Sequence, residues 1–588
     1  MKQFFKFVFA SMLGVFLSII VVIILFSAII VGVVSSSNDT VEIDENTILH
    51  INLDYPIVER TEDNPLEDLD FGPFKSQKTI GLNDILKSIN HAASDDNITG
   101  IYLDATFLMA GMATTEEIRN ALIEFKKSGK FIYAYSEVYT QKAYYLASVA
   151  HKIYLNPQGI LELKGFSSQN MFFKGALEKL EIEAQVIKVG TYKSAVEPFI
   201  LDKMSDANKL QMNSLLNSLY INFVGKIAQS RNLNVDSVKS IAYNLKIRTP
   251  QDALKFKFID GLKYKDEVLD ELKAKCKIDK KKNLTTVSVT DYAGTITNNI
   301  EESVNKIAVI YASGEINGGE GDENTIGSEG ISRSLRKARL DDKVKAVVLR
   351  VNSPGGSSLA SDVIWREVLL TKQAKPIIVS MGDYAASGGY YIACAADSII
   401  AEPNTITGSI GVFAIIPNLK GMLNNKLGLT FDGVKTGQFA DLGDVTRPLT
   451  DAEKMILQKE VNRVYSDFTL RVSQGRKIPQ AAVDSIGQGR VWTGAQAIKL
   501  KLVDKLGHLK DAIDVAAKKA KLKDYRLVAY PEQKTGFWSF LEKSGDKIKQ
   551  TIIKTELGDT YKYYQKLKQA STQKGIYMRL PVGFSGDW

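Results

Sequence analysis

A serine followed by two glycines, Ser387-Gly388-Gly389, is the stretch whose residue types and spacing could do chemistry. An apolar run before it (residues 376–379) predicts a short buried strand, and small apolar residues after it predict a helix. A serine at such a turn could expose a nucleophilic hydroxyl, and the N–H groups of the helix N-terminus could stabilise an oxyanion. The serine could equally be only a helix cap. The stretch does not match the Gly-x-Ser-x-Gly elbow, because Ala385 stands two positions before the serine.

The composition narrows the classes of protein that could use this serine. At 588 residues the chain is long enough for two or three domains, and 45% hydrophobic with 24% charged residues is ordinary for a folded protein. The net charge of +8 comes from scattered lysines, which gives no support for nucleic-acid binding. Cys276 and Cys394 lie far apart and form no disulfide framework or metal-ligand spacing. We therefore expect no metal site and no cofactor.

The N-terminal stretch predicts a membrane anchor. Residues 7–34 are uncharged and mostly apolar, and a helix of roughly 20 residues suffices to cross a bilayer core. Lys2 and Lys6 precede the stretch and acidic residues follow it, so the N-terminus is expected in the cytoplasm and the remaining chain outside. A cleaved signal peptide is the alternative, but its apolar region would be only about 7–15 residues long. We therefore expect an uncleaved, single-pass anchor in a bacterial inner membrane.

The remainder of the chain contains an internal repeat. Thr79-Ile80-Gly81 recurs as Thr325-Ile326-Gly327, an offset of 246 residues (325 − 79). The same offset pairs Asp95-Asp96 with Asp341-Asp342, Tyr144-Tyr145 with Tyr390-Tyr391, and Gly165 with Gly411. Each unit alternates short apolar runs with amphipathic stretches, which predicts parallel strands joined by helices. In the second unit we expect strands at residues 346–351, 377–380 and 398–401 and helices at 362–371 and 390–396.

These patterns divide the chain into four parts. We expect an anchor at residues 1–40, a first α/β unit at 41–290, a second at 291–531, and a tail at 532–588 that has no counterpart in the repeat. The fold class predicted is thus α/β, a tandem duplication of one unit preceded by one transmembrane helix.

The two units differ where chemistry is expected. The residue of the first unit that corresponds to Ser387 is Gln141, and Thr106-Phe107-Leu108-Met109-Ala110 stands where the second unit has Asn352-Ser353-Pro354-Gly355-Gly356. The first unit has therefore lost the serine and the glycine loop while keeping the pattern of the fold. Such divergence is typical of duplicated units in which one keeps a chemical role and the other supports it.

A serine nucleophile needs a base, and lysine is the common alternative to histidine. None of the four histidines lies near Ser387 in sequence, although His151 is a reserve candidate. Lys193 follows a predicted strand and turn, and aligning Gly190 with Gly437 puts Ala440 opposite it. The lysine is then specific to the first unit, as the serine is to the second. The sequence leaves open the alternative that Lys193 is only a solvated surface lysine.

Four motifs identify the chain as similar to a known family. They are Gly190-Thr191-Tyr192-Lys193-Ser194-Ala195-Val196-Glu197-Pro198-Phe199, Arg350-Val351-Asn352-Ser353-Pro354-Gly355-Gly356-Ser357, Ala385-Ala386-Ser387-Gly388-Gly389-Tyr390 and Thr407-Gly408-Ser409-Ile410-Gly411-Val412. Together they resemble the long, tandem-repeat form of bacterial signal peptide peptidase A, or protease IV, a family of membrane-anchored serine peptidases. The similarity runs from the anchor to about residue 530.

The resemblance implies a ClpP/crotonase-like fold in each unit and a dyad of Ser387 as nucleophile and Lys193 as general base. It also implies a homo-oligomer, a tetramer, and remnant signal peptides as substrates, cut within their apolar region. Backbone N–H groups of Gly356 and Gly388 are the expected oxyanion donors. Ser409 either orients Lys193 or only shapes a turn. Other expectations are that Cys394 is a core residue and that Asp383 is solvated or capping.

Two other functions stay open. Crotonase-like units can act on acyl-thioesters, but such a protein would need an adenine-nucleotide pocket and access to coenzyme A. A membrane-bound scaffold with a vestigial site is the second alternative, because the sequence cannot show that Ser387 and Lys193 meet. Whether they meet within one chain or between neighbouring chains is open as well.

Overall fold

The computed structural model describes residues 2–36, 42–61, 78–296, 303–322, 324–533, 553, 556–558, 561 and 576–580. Helix α1 (Lys2–Ser36) contains the predicted anchor. Its segment Gln3–Val21 has a mean hydropathy of 2.3 and packs against no other part of the described chain, so it is long and apolar enough to cross a membrane. Most of the predicted tail lies outside the described residues.

The first unit alternates strands and helices from residue 47 to residue 295. Its strands are β1 (Thr47–Asn52), β2 (Ile57–Val58), β3 (Ile80–Gly81), β4 (Ile98–Asp104), β5 (Phe131–Tyr139), β6 (Lys152–Leu161), β7 (Glu183–Val189), β8 (Gly261–Leu262) and β9 (Thr286–Ser288). Its helices are α2 (Leu82–Ala92), α3 (Met112–Lys126), α4 (Gln141–Ala147), α5 (Lys174–Lys179), α6 (Glu197–Ile200), α7 (Asp206–Arg231), α8 (Val235–Tyr243), α9 (Pro250–Lys255), α10 (Lys265–Lys275) and α11 (Val289–Thr295).

The second unit repeats this alternation. Its strands are β10 (Lys306–Ser313), β11 (Glu315–Asn317), β12 (Thr325–Gly327), β13 (Val344–Ser353), β14 (Gly355–Ser357), β15 (Ile377–Ala386), β16 (Ser398–Ala401), β17 (Ile406–Gly408), β18 (Val412–Asn418), β19 (Val491–Thr493), β20 (Lys505–Leu506), β21 (Arg526–Tyr530) and β22 (Ile576–Arg579). Its helices are α12 (Ser328–Leu340), α13 (Ser358–Ala374), α14 (Gly388–Ala393), α15 (Asp451–Arg476), α16 (Gln480–Ile486), α17 (Gly494–Ala497) and α18 (Leu509–Lys519).

Equivalent elements of the two units begin at the predicted offset. The first residues of β4 and β13, Ile98 and Val344, are 246 residues apart (344 − 98), and the same spacing separates the starts of α3 and α13. Thr249 and Thr493 cap helices α9 and α17, respectively. Each threonine hydroxyl accepts a hydrogen bond from the backbone N–H of the residue three positions later. The tandem duplication of an α/β unit is confirmed.

Each unit has its own mainly parallel sheet. The order is β8-β6-β5-β4-β1-β9 in the first, and β19-β17-β15-β13-β10-β21 in the second, with β16 and β20 beside β15. Their central strands are buried apolar runs covered on both faces, as expected for parallel strands joined by helices. The boundary predicted at residue 290 falls inside α11, which packs on β1 and α2 of the first unit.

A third sheet joins the units, in the order β12-β11-β14-β22-β18-β7. Strand β7 leaves the first unit and runs antiparallel to β18 of the second, from the pair Val189 and Val412 to the pair Glu183 and Asn418. Strand β22, from the tail, lies between β14 and β18 and is antiparallel to both. Through β7, this sheet brings residues of the first unit into contact with the second.

Candidate active site

Ser387 lies at the turn between β15 and α14, as the sequence predicts. Strand β15 is longer than expected: it reaches Ala386 instead of ending at residue 380, because after an irregularity it continues by pairing with β17. The Ser387 backbone has a φ of 56° and a ψ of −116°, and its N–H donates to the carbonyl of Gly408 at 2.8 Å. A non-glycine residue at positive φ is strained, and such strain is concentrated at functional sites.

Lys193 is brought to this turn by the strand that crosses between the units. It follows the end of β7 at Val189 after a short turn and precedes a short 3₁₀ helix, Ser194–Val196. The Tyr192 N–H donates to the carbonyl of Gln488 at 2.8 Å, which ties the segment to the second unit. The first unit therefore supplies the lysine and the second unit supplies the serine.

The two side chains meet. Lys193 Nζ lies 3.0 Å from Ser387 Oγ, and both residues are buried. Burial disfavours the charged ammonium and lowers the pKa of Lys193 from 10.5 to about 7. A substantial fraction of this amine is therefore neutral near pH 7 and can accept the serine proton.

Ser409 completes a group of three polar side chains. Its Oγ lies 3.2 Å from Lys193 Nζ, and its backbone has a φ of 49°. The Ser409 N–H donates to the carbonyl of Arg490 at 2.7 Å, so the main chain fixes the position of the hydroxyl. Of the two roles left open by the sequence, contact with the lysine is the one this geometry fits.

The two glycines expected as oxyanion donors lie close together, Gly388 directly after Ser387 and Gly356 on β14. A methyl group added to Gly388 would lie 3.1 Å from the amide nitrogen of Gly356. Gly355, between them, has a φ of 100°, and a methyl group there would lie 2.7 Å from the amide nitrogen of Gly388. Side chains at these positions would collide with neighbouring protein atoms, so the glycines let β14, β22 and the turn at Ser387 pack closely together.

Strand β22 of the tail takes a place beside these glycines. Gly356 pairs with Met578, and the Leu580 N–H donates to the carbonyl of Pro354 at 2.8 Å. The Met578 carbonyl oxygen would lie 3.1 Å from a methyl group on Gly388. Met578 and Leu580 are buried. An extended, apolar segment thus already lies along β14, with a carbonyl next to the turn that carries Ser387.

Asp383 caps a helix of the opposite unit. Its carboxylate accepts hydrogen bonds from the N–H groups of Ala113 and Thr114 at 2.9 Å and from the Thr114 hydroxyl at 2.6 Å, all at the start of α3. Of the two roles predicted for Asp383, solvated or capping, the structure has the cap. Because Asp383 lies on β15, four residues before Ser387, this contact holds the strand of the nucleophile against the unit that supplies the lysine.

A buried arginine makes a second contact between the units. Arg350 on β13 is fully buried and pairs with Glu59 at 2.9 Å and with Glu117 at 2.8 Å, both from the first unit. The Arg350 charge lowers the pKa of Glu59, whereas burial is the larger effect and raises it. Removing one partner of such a pair would leave a buried charge without compensation.

Two residues that the sequence patterns did not indicate position Lys193. Gln211 on α7 donates to the Tyr192 carbonyl at 3.0 Å and to Ser194 Oγ at 2.9 Å, on either side of the lysine. Gly489 has a φ of 78°, and a methyl group there would lie 2.7 Å from the Lys193 Cα. The Gly-x-Gly spacing of Gly487 and Gly489 was the available signal, but nothing in the sequence linked it to residue 193.

Two other candidates lie outside the site. The Nδ1 atom of His151 accepts from the Ile132 N–H at 3.0 Å, near the beginning of β5 in the first unit. Cys394 is fully buried and burial raises the pKa of its thiol to about 12, so it is a core residue, as expected.

Comparison with known proteins identifies the family. The model of peptidase family S49 matches residues 124–279 and 370–523, once in each unit. The chain belongs to peptidase family S49. Protease 4 of Salmonella typhi is 39% identical over 77% of this chain and 74% of its own length. Protease 4 of Haemophilus influenzae is 38% identical over 75% of this chain and 73% of its own length.

Two further proteins are less similar in sequence to this S49 chain. Serine protease SPPA, chloroplastic, of Arabidopsis thaliana is 35% identical over 75% of this chain and 66% of its own length. ClpP1 from Listeria monocytogenes is similar over 34% of this chain and 92% of its own length, at 17% identity and a TM-score of 0.23. The resemblance noted in the motifs and the duplicated α/β fold class are confirmed by the S49 matches to both units.

Proposed function

We propose that this chain is a membrane-anchored serine endopeptidase in which Lys193 is the general base for Ser387. One observation carries the proposal: a buried lysine amine whose pKa is about 7 lies 3.0 Å from a serine hydroxyl at a strained strand-to-helix turn. A lysine can act as base only when desolvation makes it neutral, and this one is buried in its entirety.

The reaction proceeds in two halves. Ser387 Oγ attacks the peptide carbonyl carbon while its proton passes to Lys193 Nζ, and the N–H groups of Gly356 and Gly388 stabilise the oxyanion. The C–N bond then breaks, and the protonated lysine gives its proton to the leaving amine. A water molecule then attacks the acyl-enzyme while the same lysine takes its proton, and as the ester C–O bond breaks the lysine returns that proton to Ser387 Oγ. Ser409 holds the amine in line through its hydroxyl, 3.2 Å away.

The substrates proposed are cleaved signal peptides, cut within their apolar region. Support comes from strand β22, an extended segment with buried Met578 and Leu580 that lies along β14. A substrate that takes the place of β22 between β14 and β18 would gain main-chain hydrogen bonds without a sequence requirement. The apolar helix α1 would keep the enzyme at the bilayer where such peptides remain after cleavage.

The organisation proposed with this activity has further parts. The N-terminus is cytoplasmic and both units lie on the outer side of a bacterial inner membrane. The units, residues 41–290 and 291–531, assemble as a homotetramer, and the tail is residues 532–588. The dyad forms within one chain, which the intrachain distance between Lys193 and Ser387 supports.

The test uses the full-length, detergent-solubilised protein with an apolar fluorogenic peptide and a synthetic signal peptide. We expect wild type to cleave both, and Ser387→Ala and Lys193→Met to be folded but inactive. Ser148→Ala removes a buried serine hydroxyl of the first unit and is the matched control, which should retain activity. Activity that survives Lys193→Met would reject this base and turn attention to His151. A folded wild type that cleaves nothing would instead favour the scaffold.

A further inference from the structure

Helix α10 of the first unit ends in a dense run of lysines. Residues 273–282 contain six lysines and one acidic residue, Asp279, which gives them a net charge of +5 (6 − 1). We call residues 273–282 the basic segment. Most of its lysines are exposed: Lys275, Lys277, Lys280, Lys281 and Lys282. The segment is therefore a compact patch of positive charge that faces away from the core.

The fold uses only part of this charge. Lys273 and Lys275 lie in the last turn of α10, where positive charge is favourable next to the helix C-terminus. The Asp270 carboxylate lies 3.7 Å from the amine of Lys273 and 3.7 Å from that of Lys280. Within the described part of the chain, three lysines beyond the helix make no ion pair: Lys277, Lys281 and Lys282. Neither the helix dipole nor an ion pair accounts for these three charges.

The basic segment lies at the amino ends of the strands of the first sheet. Helix α10 begins beside the carboxyl end of β4, where Lys265 pairs with Asp104 at 2.9 Å, and it runs back towards the amino ends. The chain then enters β9, and the Ile48 N–H near the start of β1 donates to the Thr285 carbonyl at 3.0 Å. Lys282 precedes Thr285 by three residues, so at most about 11 Å of chain separates it from this contact with β1.

The same end of β1 is where the apolar helix α1 joins the first unit. Helix α1 ends at Ser36, and the Thr47 hydroxyl at the start of β1 donates to the Asp44 carbonyl at 2.7 Å. The eight residue steps from Ser36 to Asp44 (44 − 36) can span at most about 29 Å. A bilayer that holds α1 therefore lies close to the amino ends of these strands and to the basic segment.

We propose that the basic segment binds the anionic phospholipid headgroups of the bilayer that holds α1. A cluster of lysines next to a membrane helix is attracted to a negatively charged lipid surface, and each lysine adds to the attraction. The contact turns the amino ends of the first sheet towards the lipid and its carboxyl ends away from it. The proposal requires that α1 lies in a membrane, but it does not depend on the peptidase activity.

A nucleic acid is the other polyanion that a run of lysines could bind. Surfaces that bind single strands combine basic residues with aromatic side chains on which the bases stack. Residues 273–282 include no aromatic residue. The composition of the segment and its short connection to α1 therefore both favour lipid headgroups as the partner.

Fluorescence quenching by lipid tests this contact on the full-length protein in vesicles. Asn283→Cys places a thiol for a fluorophore on an exposed residue directly after the basic segment, whereas the native Cys276 and Cys394 are buried. The vesicles contain a lipid with a spin label on its headgroup, in phosphatidylcholine alone or mixed with anionic phosphatidylglycerol. We expect stronger quenching in the anionic vesicles. The difference should be lost in high salt, because the Debye length falls from about 10 Å at 0.1 M to about 3 Å at 1 M.

Two triple variants of the labelled protein remove the same charge from opposite ends of the first sheet. The first replaces the three unpaired lysines of the basic segment: Lys277→Gln, Lys281→Gln and Lys282→Gln. It should abolish the additional quenching in anionic vesicles. The matched control replaces three exposed lysines near the carboxyl ends of the strands: Lys78→Gln, Lys164→Gln and Lys265→Gln. It should be quenched like the labelled parent protein.

Several outcomes would overturn the proposal. Equal quenching in the two kinds of vesicle, or undiminished quenching in the first triple variant, would show that the basic segment does not bind anionic lipid. An equal loss in the control variant would assign the effect to the net charge of the protein. Binding of labelled single-stranded DNA at physiological salt, without lipid-dependent quenching, would assign the segment to a nucleic acid. Cleavage of the fluorogenic peptide in the same vesicles shows separately whether the peptidase function stands.

Discussion

The two units have the same elements at the same spacing but use one position in opposite ways. At the end of β15 the second unit has Ser387, with a strained backbone and a hydroxyl next to an amine. At the end of β5 the first unit has Gln141, whose amide accepts from the N–H groups of Lys164 and Gly165 and donates to the Gly165 carbonyl, all at 3.0 Å. The glutamine thus satisfies the main chain where the second unit keeps a reactive group.

The comparison supports the proposal that one site is divided between the two units. The first unit lacks the serine and the glycine loop, and the second has no lysine at the position of Lys193. The crossing strand β7 reunites them, since its pairing with β18 carries Lys193 to Ser387. Contacts between the units, through Asp383 and Arg350, hold the two halves in place.

The largest effect on kcat is expected from removing the proposed nucleophile of the second unit or the proposed base of the first. Ser387→Ala or Lys193→Met should lower kcat on the order of 10⁴-fold or more, the size of loss that serine peptidases show without nucleophile or base. Gln141→Ala should leave kcat at the wild-type level. Steady-state kinetics on the apolar peptide measures all three. A loss of kcat in Gln141→Ala equal to that in Ser387→Ala would break the division of roles.

The pH dependence of kcat/KM should follow the titration of Lys193, although the serine that it would activate belongs to the other unit. The amine accepts a proton only when neutral, so kcat/KM should fall about tenfold per pH unit below a midpoint near pH 7. Because the folded-state pKa lies below 10.5, the unfolded chain binds more protons between about pH 7 and 10.5, and stability rises with pH in that window. Lys193→Met should remove this rise. A midpoint near pH 10 would contradict a buried, neutral lysine.

We expect strand β22 of the tail to compete with substrate for the site beside Ser387 in the second unit. Ending the chain after residue 575 removes β22 and should lower KM about tenfold with kcat unchanged, if the strand is docked in roughly nine molecules of ten. A synthetic peptide of residues 574–582 should inhibit the shortened enzyme competitively. A shortened enzyme with a lower kcat and a lower melting temperature would mean that β22 completes the sheet structurally.

Ser409→Ala should cost less, about five- to tenfold in kcat, because one hydrogen bond contributes roughly 1 kcal/mol. The first unit has Leu163 at the equivalent position, where no lysine needs orienting. Ser409→Gly separates the hydroxyl from the backbone, since glycine adopts the positive φ of this site freely. Equal kcat losses in both variants would assign the effect to the hydroxyl; recovery in the glycine variant would assign it to strain.

The smallest effect on activity is expected from Gln141→Ala, which should act on stability. Two N–H groups, of Lys164 and Gly165, lose their acceptor, and because both are only partly buried each loss should cost no more than the roughly 1 kcal/mol of one hydrogen bond. The melting temperature should fall by a few degrees while kcat is unchanged. Gln141→Met keeps the side-chain volume but offers no acceptor, so it separates lost hydrogen bonds from lost packing. An unchanged melting temperature in Gln141→Ala would show that solvent replaces the amide.

The sequence by itself determined the duplication, the apolar anchor segment, and the presence of Ser387 only in the second unit and of Lys193 only in the first. These are periodic or local features: the offset of 246 residues, an uncharged run, and a serine and a lysine each without a counterpart. It also placed Ser387 at a strand-to-helix turn, although β15 extends six residues beyond the predicted end because it continues by pairing with β17, which the local apolar pattern does not encode.

Only the tertiary structure decided that Lys193 meets Ser387, that Asp383 caps α3 of the other unit, and that the tail strand lies beside Gly356. Each of these contacts joins residues about 200 or more positions apart, and depends on sheets and helices that pack from both units. The pKa of Lys193 follows from the same cause. Desolvation is a property of everything that surrounds the amine, and no local sequence pattern encodes it.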